Sequence, residues 1–303
     1  MLSIPIISKQ LYKPKDKHDL GQAQRLFHGR GHSFAGLEHL VIDWLPPVVL
    51  ITLYKPEPIE EIKRLVDYLL SLLPNCKSAQ LQHRYLSAGP IDIIQGEKIQ
   101  KLVILEGQNK FHISLGRARN TGLFLDMRNG RSWLEQHAKN KRVLNLFAYT
   151  CGFSVSAITG GATSVLNVDM SGAALSVGRE NHRLNHHDLN KVRFEKLNIF
   201  KSFGRLKKRG PFDLLVCDPP TFQKGSVQID RDYPKIMRRL NDFMADKSIL
   251  LLCLNAPDLT IGFIIDNMSL YAPSYIFDKV VNPPKVYRES QNKGLKALLF
   301  IRV

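Results

Sequence analysis

The stretch Asp218-Pro219-Pro220-Thr221-Phe222 sets a carboxylate before two successive prolines. Proline fixes its backbone and carries no N–H, so this turn withholds two donors while its carbonyls stay free to accept. Such an acceptor-rich corner suits an amine substrate, and Phe222 offers a flat base a surface to stack on. A second carboxylate, Asp169, ends the run TSVLNVD, 24 residues after Asn145. At about that spacing an acidic residue accepts bonds from ribose hydroxyls in nucleotide-binding strand–helix–strand units. The third feature is NLFAYTCGFS (145–154), an apolar strand running into small residues and then a helix. The backbone turns sharply there, at the carboxyl edge where open α/β sheets bind ligands. No GxGxxG and no GKS/T accompanies it, which disfavours a dinucleotide or a triphosphate.

These features need a sheet whose strands end along one rim. From about Arg128 the chain alternates strand and helix, the pattern of a parallel sheet covered on both faces. Strands are expected at 142–147, 163–169, 191–197, 212–218 and 248–254, with helices at Gly172–Asn185 and Asp230–Met244. SYIFDKVV and LKALLFIRV add two further strands as an antiparallel hairpin with a long connection. The three histidines His182, His186 and His187 are expected to face solvent at a helix end. Before Arg128 lies a smaller α+β domain. HLVIDWL and VVLITLY flank Pro46-Pro47, a helix follows from Pro56 to Leu73, and strand-like pieces recur at AQLQHRY, KLVILEG, KFHISLG and TGLFLDM. The first 35 residues, basic and broken by glycines, read as an irregular arm. The expected division is 1–35 arm, 36–127 α+β domain that binds RNA, and 128–303 catalytic domain.

Composition sets the class of partner. With 44% hydrophobic and 23% charged residues among 303, the chain folds rather than staying disordered. Lys and Arg number 43 against 27 Asp and Glu, a formal charge of +16. A polyanion offsets such an excess, and nucleic acid is the commonest one. Candidate phosphate contacts are Arg25 and Arg30 in RLFHGRGH, Lys207, Lys208 and Arg209 before the fourth strand, and Arg238 and Arg239 on the next helix. They are expected to form a track around the DPPTF corner. The four cysteines are too far apart for a zinc motif, so no metal is expected and the thiols read as free. No secretory leader or membrane-length apolar run is seen, which points to the cytoplasm.

In the order NLFAYTCGFS, Asp169, DPPTF, the chain resembles the class I S-adenosylmethionine-dependent methyltransferases. GRARNTGLFLDMR (116–128) ahead of NLFAYT resembles, more closely, the bacterial 23S rRNA large-subunit methyltransferases of the I and K/L types. The likeness covers about residues 100–303. It implies an α/β fold, a Rossmann-like class I methyltransferase domain with a mostly parallel seven-stranded sheet, preceded by the smaller α+β domain. It further implies S-adenosylmethionine as cofactor, with Phe147, Tyr149, Thr150 and Gly152 along its methionine side and Asn145 and Ala148 in the same segment. Asp169 would hold the ribose, Met170 would lie against the adenine, and Asn198 would accept from the adenine amine. Asp218 and Pro219 would face the target atom, beside Pro220 and Phe222. Phe124, Asp126 and Arg128 would close over the cofactor.

Two departures from the family pattern matter. Cys151 stands where relatives have glycine, so the turn must tolerate a Cβ. Cytosine C5 methylation requires a nucleophilic thiolate, which the resemblance implies just after the fifth strand; in LLLCLNAPDLT that position is Asn255 and Cys253 lies within the strand. Transfer to a purine nitrogen of RNA, ribosomal in origin, is therefore the favoured expectation. The rivals are an inactive RNA-binding assembly factor and a methyltransferase for a protein amide or small molecule. Either a monomer or a homodimer is compatible with the sequence.

Overall fold

The computed structural model describes residues 3–116, 120–220, 222–223, 227–290 and 294–303. The chain forms two compact units, Met1–Leu125 with Pro284–Asn292 and Asp126–Pro283 with Lys293–Val303.

The first unit is built on a five-stranded sheet. Leu40–Leu45 and Val48–Leu53 are buried along their whole length and pair antiparallel across Pro46-Pro47. Val48–Leu53 then pairs in parallel with Ser78–His83, and helix Ile59–Leu72 makes the crossover. That helix buries Ile62, Leu65, Val66 and Leu69 at helical spacing, with Glu60 and Glu61 at its positive amino end. Three local expectations fail. The first 35 residues are not an irregular arm: they hold two short helices and strand Gln24–His28, and Ile7, Leu26 and Phe27 join the core. Ile91–Gly96 forms an outer strand whose side chains are largely exposed, so no apolar run marked it. TGLFLDM is not a strand; its last residues, Leu125–Met127, form a 3-10 turn.

The second unit is a seven-stranded sheet. Its strands are β1 (Arg142–Leu146), β2 (Ser164–Asp169), β3 (Val192–Lys196), β4 (Phe212–Cys217), β5 (Met244–Leu254), β6 (Tyr275–Val280) and β7 (Lys296–Arg302). Their order is 3-2-1-4-5-7-6, parallel throughout except for β7, which pairs antiparallel with both neighbours. Alternate residues feed two cores. Leu144, Leu146, Leu215 and Leu252 pack on one face, while Val143, Val165, Val216 and Leu251 pack on the other. The helices are α1 (Arg128–His137), α2 (Gly152–Thr159), α3 (Gly172–Leu184), α4 (Phe203–Arg209), α5 (Ile229–Met237) and α6 (Ile261–Tyr271). The single helix expected over Asp230–Met244 is broken: α5 ends at Met237, a short turn spans Leu240–Phe243, and Met244 already opens β5.

Among the apolar contacts between β1, β2, α2 and α3 runs a buried polar chain. Asn145 donates to Asn167 (2.9 Å) and Asn167 to Ser154 (2.9 Å). Ser154 meets His182 (2.9 Å), His182 meets His187 (2.9 Å), and Thr159 closes the chain on His187 (3.1 Å). His182 is fully buried, contrary to the solvent-facing expectation. Burial pushes its pKa down to about 3 and that of His187 to about 4, each histidine opposing charge on a neighbouring one.

Candidate active site

The rim forms where β1 gives way to α2. Phe147, Tyr149 and Cys151 have φ of 57°, 48° and 61°, a left-handed conformation costly for residues with a Cβ. The bonds that hold the loop include Ala148 N–H to the Val168 carbonyl (3.1 Å), Cys151 N–H to the Ala148 carbonyl (2.7 Å), and Tyr149 N–H to Asp169 (2.8 Å). Backbone strain held this firmly is characteristic of functional loops. Cys151 is accommodated because α3 passes it with a glycine. A Cβ on Gly178 would collide with the Cys151 Sγ. The thiol thus points into α3, packed with Ala148 and Leu175, and burial raises its pKa well above the ordinary range.

Asp169 ends β2 beside this loop. One carboxylate oxygen accepts from Tyr149 N–H and the other from Ser171 N–H (2.7 Å). The side chain is only partly buried, so lone pairs remain for hydroxyl groups. Met170 follows with 40% of its surface exposed, an apolar group at the rim. Asn198, after β3, accepts from Lys201 N–H at 3.3 Å, which leaves its carbonyl a further lone pair. Thr150 is buried, and its carbonyl accepts from Asn181. Asn145 does not reach the rim; it is consumed in the polar chain beneath α2.

Asp218 follows β4 on the same carboxyl edge. Tyr233 of α5 donates to the Cys217 carbonyl (3.0 Å) and pins the strand end. Burial pushes the Asp218 carboxyl up to about 7; the nearby charge of Asp126 adds to the rise and the Arg131 cation opposes it. Pro219 is buried and Pro220 half-buried. Arg131 escaped the sequence reading, although Met127, Arg131, Leu134 and Ala138 share one helical spacing and all are buried. Arg128 is half-buried on the same helix. Phe124 belongs to the first unit, where it is 43% exposed. Thr221 and the Phe222 side chain lie outside the described residues. At the end of β5, Cys253 is fully buried with its pKa raised well above the ordinary thiol value, and Asn255 is exposed.

Lys207, Lys208 and Arg209 do not reach this corner. They end α4 just before β4 begins, which places them at the amino edge of the sheet, one strand length from Asp218. Arg209 is paired with Glu195 (2.8 Å), and Arg239 with Asp242 (2.6 Å). Arg238 lies over the Tyr271 ring. In the first unit Arg25 makes a bidentate pair with Asp43 (2.6 and 3.2 Å), while exposed Arg30 stacks over Tyr54 (3.9 Å).

An open α/β sheet with an antiparallel seventh strand, a strained first loop and carboxylates at the ends of β2 and β4 defines a protein of Rossmann-like α/β class with its candidate site on one rim. The chain belongs to the S-adenosylmethionine-dependent methyltransferase family, whose description residues 24–301 match. It is similar to the ribosomal RNA large subunit methyltransferase I of Tolumonas auensis, 38% identical over 54% of this chain and 44% of that one. The protein of the same description from Escherichia coli is 33% identical over 64% and 51%. The chain thus spans about half the length of the curated relatives it matches. Among solved structures, SMU.776 complexed with SAH superposes with a TM-score of 0.86 over 99% of this chain and 82% of that one, at 24% identity. That likeness concerns the fold.

Proposed function

We propose that the chain transfers a methyl group to a purine nitrogen of ribosomal RNA. The observation that carries the reading is the Asp218–Pro219 corner set on the same rim as Asp169, with Cys253, the thiol near the end of β5, fully buried. The donor set fits S-adenosylmethionine: a half-exposed Asp169 for ribose hydroxyls, the exposed Met170 for a flat ring, the Asn198 carbonyl for an amine, and the Phe147–Gly152 loop for the methionine part. When bound, this cofactor supplies an electrophilic methyl on a positively charged sulfur.

The protein's own part is to position the acceptor. The Asp218 carboxylate and the Pro219 carbonyl would accept the hydrogens of an exocyclic amine and aim its lone pair. For a ring nitrogen, Asp218 would instead hold the adjacent amino edge. The nitrogen–carbon bond forms as the carbon–sulfur bond breaks, with its electron pair left on sulfur, and the amine proton passes to Asp218 or water. Cytosine C5 chemistry would need a nucleophilic thiolate, and Cys253 is fully buried, which raises its pKa and disfavours the thiolate. Ribosomal RNA as the acceptor is supported by the names of the relatives and by the +16 charge.

Mass spectrometric nucleoside analysis of ribosomal RNA from cells with and without the gene tests this. Loss of an N-methylated purine nucleoside is expected; loss of 5-methylcytidine would overturn the purine assignment.

A further inference from the structure

The basic residues at the amino edge of the second unit's sheet converge on a cavity of their own. A groove of about 200 Å³ is lined by Arg142 at the start of β1, Lys191 and Arg193 at β3, and Lys208 and Arg209 at the end of α4. It lies at the opposite ends of the strands from Asp169 and Asp218. A wider depression of about 520 Å³ shares Lys208 and Arg209 and adds Arg205.

Few local anions answer this charge. Glu195 pairs with both Arg205 (2.8 Å) and Arg209 (2.8 Å), and Asp213 accepts from the Arg142 backbone N–H (2.7 Å). The Arg142 guanidinium donates to the Arg209 carbonyl (2.7 Å), which fixes the groove floor. Lys191, Arg193 and Lys208 are exposed. Cations on an edge strand such as β3 also discourage edge-to-edge pairing. That role does not explain Arg142 on an inner strand, nor α4 delivering Lys208 and Arg209 to the same cavity. The lining reaches from β3 across β2 and β1 to Phe212 on β4. Three strand spacings make about 14 Å, longer than one phosphate group and suited to successive phosphates of a strand.

We propose that this groove is a second RNA contact, which grips the phosphate backbone of the substrate away from the methylated base. It rests on the RNA reading above and adds a site at the far edge of the sheet.

The test uses the full chain, a 23S rRNA transcript and the variant Lys191→Glu/Arg193→Glu/Lys208→Glu. A control, Lys9→Glu/Lys279→Glu/Lys285→Glu, makes the same change in net charge at exposed residues elsewhere. The groove variant is expected to lose at least about tenfold in RNA affinity at fixed salt, and its log K against log salt slope to become shallower by about 2 to 3, given roughly 0.7–0.9 per phosphate contact. Its calorimetric affinity for S-adenosylmethionine should match wild type, and the control should stay within about threefold for RNA. Groove and control variants that bind RNA equally would overturn the groove while leaving the RNA substrate standing. A wild-type chain that binds no RNA would overturn both.

Discussion

Asp218 sits where a carboxylate still changes charge near neutrality. If only its ionised form accepts the amine hydrogens, kcat/KM should rise with pH through about 7. Asp126→Asn removes a negative neighbour and favours ionisation of Asp218, so the midpoint of that profile should move to lower pH; an unmoved midpoint would contradict the coupling. Cys151 makes a second prediction at this scale. Gly178→Ala would drive a methyl into its sulfur, at a cost of about 1–3 kcal/mol in urea unfolding. Adding Cys151→Gly should recover most of that loss, and purely additive effects would mean that the two residues do not share the space. The Cys151 substitution was visible in the sequence. Its compensation by a glycine 27 positions later was not, because that contact exists only once α3 packs on the loop.

The histidine chain between α2 and α3 ties those helices to acidity. Both histidines are neutral in the fold, with pKa values of about 3 and 4 against about 6.5 in the open chain. The unfolded state therefore takes up protons first, and the stability they contribute, present above about pH 6.5, is lost as pH falls toward 4. Urea midpoints measured from pH 7.5 to 4.5 should fall less steeply in His187→Asn than in wild type; parallel curves would contradict this. These two helices and the five parallel strands were legible in the sequence because doubly covered strands read as continuous apolar runs. The outer strand Ile91–Gly96 was hidden by its exposed side chains, and the first strand by the basic residues around Leu26 and Phe27. Asp169 and Asp218 were legible as carboxylates at strand ends. Arg131 was not, since a cation on a helix shows its burial only through the spacing of its apolar companions. The position of Lys207–Arg209 was readable, because residues just before a strand lie at its amino edge.

At the scale of the whole molecule, the +16 charge gives ionic strength a large hold over function. Affinity for ribosomal RNA should fall with a log–log salt slope of about −3 or steeper, the signature of several released counterions. A nearly flat dependence would favour a small-molecule substrate over RNA. Charge and composition pointed to a polyanion from the sequence alone, whereas the gathering of Arg142, Lys191, Arg193 and Lys208 around one groove required the fold. The central claim is that S-adenosylmethionine lies against Asp169 with its methyl toward Asp218, and calorimetry on three proteins tests it most directly. Wild type and Asp218→Ala should bind the cofactor with affinities within a few-fold of each other, Asp218→Ala having lost transfer, while Asp169→Ala should bind at least about tenfold more weakly. Full cofactor affinity in Asp169→Ala would contradict the account.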